Sequence, residues 1–118
     1  MPKEFPKIPS RLAEYRKHIA LTAAEEILEV FNHWCVTFHS EGTRGRAVVL
    51  NESRKAHIAW GIKTFGVERA KNAITGLTYS EFHMGNNKQG RKYVSLELIF
   101  RDSSHTSKYL SIYQSNNK

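Results

Sequence analysis

Between residues 24 and 38 the apolar side chains fall at Ile27, Phe31, Trp34, Cys35 and Phe38, at spacings of four, three, one and three. That is the repeat of one wide helical face. Two large rings on it, Phe31 and Trp34, are costly to leave in water, so the rest of the chain has to supply a surface that covers them. Thr22-Ala23-Ala24-Glu25 reads as a capping box at its start, with the Thr22 hydroxyl accepting from the Glu25 amide while Glu25 reaches back to residue 22. Glu25, Glu26 and Glu29 lie near the same end, where the helix macrodipole favours them.

The covering surface comes from further helical patterns. Asn51 is a good N-cap for a helix over 52–65, with Ile58, Ala59, Ile62 and Phe65 inward and Gly66 at the stop. Val67, Ala70, Ile74 and Leu77 mark another helix over 67–77, and the link between the two is so short that they meet as an angled pair. Gly76 and Thr78 are expected to weaken its end. Ser95 suits the cap of a helix over 96–101. Alternation at Val94, Leu96, Leu98 and Phe100 also fits a strand, but a lone strand among helices leaves its backbone unpaired. A last helix over 104–114 would bury Tyr109, Ile112 and Tyr113.

The three prolines all lie in residues 1–9, which reads as an extended arm packed through Phe5 and Ile8. A short helix over 11–20 follows, with Leu12, Tyr15 and Ile19 on one face. Residues 39–50 read as a loop ending in the extended run Ala47-Val48-Val49-Leu50. The expected fold is all-α: a compact bundle of five to six short helices, with an ordered Gly/Asn-rich loop before the last two. The expected organisation is an arm and short helix over 1–20, one helical domain over 21–114 and a frayed tail over 115–118.

The formal net charge is +7 over 118 residues, and nearly all of the excess falls after residue 50. A basic bias of this kind points to a polyanionic partner, most often nucleic acid. A single cysteine, Cys35, forms no intrachain disulfide; on the apolar stripe it reads as a small buried hydrophobe. No apolar run approaches the roughly 20 residues of a membrane span, and the first residues lack a signal-peptide core. A cytoplasmic protein without a membrane partner is expected. His18, His33, His39, His57, His83 and His105 are scattered, and none pairs with another ligand at a metal-binding spacing. His83 beside Asn86 and Asn87 lacks the companions of a His/Asn nuclease. Neither a catalytic residue nor a metal or other cofactor is expected.

The stretch 82–102, FHMGNNKQGRKYVSLELIFRD, holds the sharpest signal. Gly85-Asn86-Asn87-Lys88-Gln89-Gly90 is not a P-loop, since it lacks the Gly-Lys-Ser/Thr ending. Glycine and asparagine amides beside Lys88, Arg91 and Lys92 suit phosphate oxygens. Arg44 and Arg46 in the preceding loop, and Arg54 and Lys55 at the start of the 52–65 helix, are the other expected phosphate contacts. The nucleic-acid-binding set is therefore Arg44, Arg46, Arg54, Lys55, Asn86, Asn87, Lys88, Arg91 and Lys92. Tyr79, Phe82 and Tyr93 interleave with these cations in a manner that suits stacking on bases. Phe82 and Tyr93 are nonetheless expected to pin the loop to the core, along with Leu96, Ile99 and Phe100.

From about Phe31 to Tyr113 the residues follow a longer pattern. Phe31 and Trp34 come first, then Asn51-Glu52-Ser53-Arg54-Lys55 with Ile58, Gly66-Val67-Glu68-Arg69-Ala70 and Ala73-Ile74-Thr75-Gly76. Ser80-Glu81-Phe82-His83-Met84-Gly85-Asn86-Asn87, Gly90-Arg91-Lys92-Tyr93 and Ser95-Leu96-Glu97-Leu98-Ile99-Phe100-Arg101-Asp102 complete it. This portion resembles the C-terminal domain of phage and prophage replication-initiation proteins, the replisome organisers or helicase loaders. The resemblance implies an all-α fold and a role in phage DNA replication inside a bacterial host cell. It also implies contact with single strands or with the replicative helicase, and no catalytic residues. Those longer proteins usually carry an N-terminal winged helix, where this sequence has a short arm and one extra helix. The function expected is a non-enzymatic DNA-binding module, binding single- or double-stranded DNA. The alternative is a protein-interaction module, either a helicase adaptor or a phage-encoded inhibitor of a host protein.

Overall fold

In the computed structural model, residues 17–39 and 49–116 are described. They hold five helices: α1 (Ala24–His39), α2 (Glu52–Phe65), α3 (Val67–Leu77), α4 (Leu96–Ile99) and α5 (Ser103–Asn116). Among the described residues there is no strand, and one antiparallel bridge joins Met84 to Lys92. The all-α bundle with an ordered loop ahead of its last two helices is the fold. The arm over 1–9, most of the helix over 11–20, nearly all of the loop over 39–50 and the last two residues of the tail lie outside the described residues. Residues 17–21 are in turns, with the Leu21 amide donating to the His18 carbonyl at 3.1 Å.

The helices start where short polar side chains stop the backbone donors from going unpaired. Asn51 Oδ1 accepts from the Arg54 amide at 2.8 Å, Ser95 Oγ from Leu98 at 3.1 Å, and Asp102 Oδ1 from His105 at 2.9 Å. The expected capping box does not form. Thr22 donates its hydroxyl to the His18 carbonyl at 2.7 Å instead, and α1 begins at Ala24, with the Ala23 carbonyl accepting its first bonds. Ala23 thus occupies the N-cap, and Thr22 lies one residue outside the capping position.

Around the α1 stripe the core closes as the spacing requires. Ile27, Phe31 and Trp34 are buried, and Val30, which the stripe had not included, is wholly so. Ile58 and Ala59 join them from α2, Ala70, Ile74 and Leu77 from α3, and Leu96, Ile99 and Phe100 from the α4 segment. Cys35 and Phe38 pack at the edge of this core. The amide of Gly66 returns to the Ile62 carbonyl at 2.8 Å, and α3 starts at the next residue, so a single glycine joins the two helices.

Two close approaches fix the rest. A Cβ at position 76 would lie 2.2 Å from the Tyr109 carbonyl oxygen, so α5 crosses α3 with its backbone seated on Gly76. Gly76 is therefore the crossing point of the two helices, where the sequence pattern marks it only as a weak helix end. At position 61 the space of a Cβ is filled by the Phe100 ring, 2.7 Å away. Phe100 is fully buried there, which takes it out of the helix; α4 ends at Ile99 rather than 101. The Ile99 carbonyl accepts the hydroxyl of buried Thr106 at 2.8 Å, and this ties α4 to α5. Along α5, Thr106, Tyr109 and Leu110 are buried, Ile112 and Tyr113 only partly, and the helix runs through Ser115 and Asn116.

Gly76→Ala gains helix propensity of about 1 kcal/mol but must push α5 away from α3, and overpacking of this kind costs about 1–3 kcal/mol or more. The clash dominates because the obstacle is backbone. The expected result is a lower thermal midpoint, and a midpoint equal to or above the parent would refute the crossing.

Candidate nucleic-acid interface

The loop between α3 and α4 is built from hydrogen bonds within itself. Gly85 and Gly90 take positive φ, 108° and 62°, and the chain returns on itself so that the Tyr93 amide donates to the His83 carbonyl at 2.8 Å. Asn87 holds the middle. Its Nδ2 donates to the carbonyls of Phe82 (2.7 Å) and Arg91 (2.8 Å), and its Oδ1 accepts from the amides of Gln89 (3.1 Å) and Arg91 (3.2 Å). These four bonds use the whole capacity of a carboxamide. Asn87, expected to contact phosphate, is instead the strut of the loop. Asn86 is exposed, with its Nδ2 bonded to Glu81 Oε1 at 3.1 Å and its backbone amide to the Glu81 carbonyl at 2.8 Å.

An aromatic series runs from this loop into the core. Tyr93 stacks on Phe82 at 5.6 Å with 16° between planes. His83 meets Phe82 edge-on at 5.4 Å and Tyr109 edge-on at 5.4 Å. Tyr109 is 1% exposed. Phe82, expected to be an anchor in the core, is 54% exposed, and Tyr79 is 44% exposed. Leu96, Ile99 and Phe100 do the anchoring, because they enter the core directly. Phe82 is held by its neighbours and presented to solvent.

Lys88, Arg91 and Lys92 are exposed on the same loop, and none forms an ion pair with another described residue. Arg54 lies in the first turn of α2. Its guanidinium sits 5.3 Å from the Trp34 ring centroid and donates to the Val49 carbonyl, while Trp34 Nε1 donates to the Val94 carbonyl at 2.7 Å. One indole thus links Arg54 to the segment that follows the loop. Lys55 borders a separate, mostly apolar cleft with Ile27, Leu28 and Leu50. Arg44 and Arg46 lie outside the described residues. The structure groups Lys88, Arg91 and Lys92, connects Arg54 to their flank through Trp34, and leaves Lys55 on another cleft.

Beside Phe82 lies an open cleft of about 430 Å³, bordered by Ser80, His83, His105, Lys108 and Tyr109. Ser80 Oγ is 2.7 Å from His83 Nδ1, and Asp102 Oδ1 is 2.8 Å from His105 Nδ1. Burial holds His83 below the usual imidazole range, helped by the charges of Lys108 and His105. Burial also raises the Tyr109 phenol. Sequence reasoning passed over His105 and Lys108 because they stand far along the chain from His83. The one sequence cue was their spacing of about one helical turn, with Tyr109 next to Lys108 pointing inward. Among the described residues no three His, Cys, Asp or Glu side chains gather as a metal site. No helix of the described residues is long and apolar enough to cross a membrane. Burial also raises the Cys35 thiol, with Arg54 opposing it. No family model, curated protein or solved structure matches the chain.

Asn87→Ala removes all four side-chain bonds of the strut. The surrounding helices should keep their stability within about 1 kcal/mol, because these bonds are exposed, while the Gln89 and Arg91 amides lose hydrogen-exchange protection. Unchanged exchange at both amides would contradict the strut assignment.

A pH effect follows from the histidines. His33, whose Nε2 lies 2.8 Å from Thr75 Oγ1, is also lowered, first by burial and then by Lys71. For both His33 and His83 the unfolded chain takes up a proton near 6.5, and the folded chain only at lower pH. Their contribution to stability is complete above that value and is lost as pH falls from it through the lower folded-state values. The thermal midpoint should drop between pH 7 and pH 5, and the drop should shrink in the double variant His33→Gln, His83→Gln.

Proposed function

We propose that this chain is a non-enzymatic nucleic-acid-binding module acting in DNA replication, as the resemblance to phage replication-initiation proteins implies. The observation that carries this reading is Phe82. A phenyl ring is held half in solvent by a stack on Tyr93 and an edge contact with His83, within a loop that also displays Lys88, Arg91 and Lys92. Beside solvated cations, the ring suits a base face next to a phosphate backbone. Arg54, over the Trp34 ring whose Nε1 donates to the Val94 carbonyl, is a further cation near the segment that follows the loop.

A second reading, docking on a protein such as the replicative helicase, is favoured by exposed Leu28 of α1, which borders the apolar cleft with Ile27 and Leu50, and by exposed Val36 further along the same helix. A complex with purified helicase that survives nuclease treatment on gel filtration would support it over the first.

The decisive experiment is a salt titration of binding to single- and double-stranded DNA. Affinity should fall linearly with log salt, and replacing Lys88, Arg91 and Lys92 by Gln should reduce the slope by about 0.7–0.9 for each phosphate that is no longer neutralised. No binding to either form at low salt would end the proposal.

A further inference from the structure

We propose that the cleft between Phe82 and α5 seats one unstacked nucleotide of a single strand, with its base against Phe82 and its phosphate toward Lys108 and His83. This rests on the nucleic-acid reading above and adds a seat for the strand and two residues outside the basic set, His83 of the loop and Lys108 of α5.

Several observations converge on the cleft. Its size, about 430 Å³, falls within the ~300–1,000 Å³ of small-ligand sites. Tyr93 stacks on Phe82, and the Phe82 ring also lines the cleft. The phosphate side is built by chemistry from both walls. Ser80 Oγ accepts from the His83 amide at 3.4 Å and lies 2.7 Å from His83 Nδ1. In the tautomer in which the Ser80 hydroxyl donates to Nδ1, the imidazole carries its proton on Nε2, which has no hydrogen bond to a described residue. Lys108 is exposed on α5, borders the cleft, and makes no ion pair with a described residue. Asp102, beside the cleft, accepts from both the amide and the ring of His105, which holds its Oδ1 on that residue. Cation and N–H donor thus lie within a nucleotide's reach of an aromatic ring.

This arrangement selects strand form. In a duplex the bases are stacked inward and paired, so none reaches a ring set in a concave cleft, whereas a single strand can turn one base out at little cost. DNA and RNA strands share this chemistry.

The test uses the full chain and fluorescein-labelled oligo(dT), oligo(rU) and the oligo(dT)·oligo(dA) duplex, followed by anisotropy at low salt. Single strands should bind about tenfold tighter than duplex, and Phe82→Ala or Lys108→Gln should each weaken single-strand binding about fivefold or more, from removal of a stack or of a charged partner. Lys108→Arg should retain binding. Phe82 and Lys108 are both exposed, so circular dichroism should show unchanged helix content in each variant. The tighter of oligo(dT) and oligo(rU) identifies the strand. Equal affinity for duplex and single strands, or full single-strand affinity in Lys108→Gln, overturns the cleft while leaving the nucleic-acid reading intact. Absence of binding to all three probes removes both.

Discussion

The backbone of α5 rests on Gly76 of α3, and most of what the molecule displays depends on that approach. With no side chain at 76, the Tyr109 carbonyl comes to within 2.2 Å of where a Cβ would be. This depth puts the Tyr109 ring against His83 and brings Thr106 to the Ile99 carbonyl. It also makes Lys108 and His105 one wall of a cleft whose other wall is the loop. Interiors at this density do not yield by fractions of an ångström, so a shift of α5 would move the wall and the anchor of the loop together.

Polar groups explain why the loop can be both exposed and ordered. Asn87 bonds four backbone groups of the loop, and Glu81 holds Asn86. Other acids are likewise engaged: Glu29 with Lys71, Glu97 with Ser53, Asp102 with His105. Exposed contacts of this sort add little stability, and Lys88, Arg91 and Lys92 make no ion pair with a described residue. Trp34 joins the two ends of this surface, with Arg54 over its face and the Val94 carbonyl on its Nε1.

Much of the fold could be read from residue order. Asn51 and Gly66 bracket α2, and α3 spans the expected 67–77, because caps and stops act through neighbours in sequence. The Thr22 capping box does not form because the helix starts one residue later, with Ala23 at the N-cap and the Thr22 hydroxyl donating to the His18 carbonyl in the preceding turn. Gly76 and Phe82 depart from expectation for a different reason. A glycine late in a helix and a phenylalanine before a polar loop each have an ordinary local meaning, and only the partner across space revises it. The nine residues expected to contact nucleic acid divide on the same line. Asn87 turns inward, Lys55 borders another cleft, and Lys88, Arg91 and Lys92 remain together on one exposed loop.

By itself, then, the sequence determined the all-α class, the apolar stripe of α1, the caps of α2 and α4, and a basic loop turning at Gly85 and Gly90. Each of these follows from periodicity, charge or backbone freedom within a few residues. Only the tertiary structure decided that Phe82 stays in solvent and that Asn87 is a strut. It also decided that Lys108 and His105, distant in the chain, face His83 across a cleft. Those outcomes depend on how closely α5 approaches α3, which is a matter of side-chain volume at a crossing and leaves no periodic trace in the sequence.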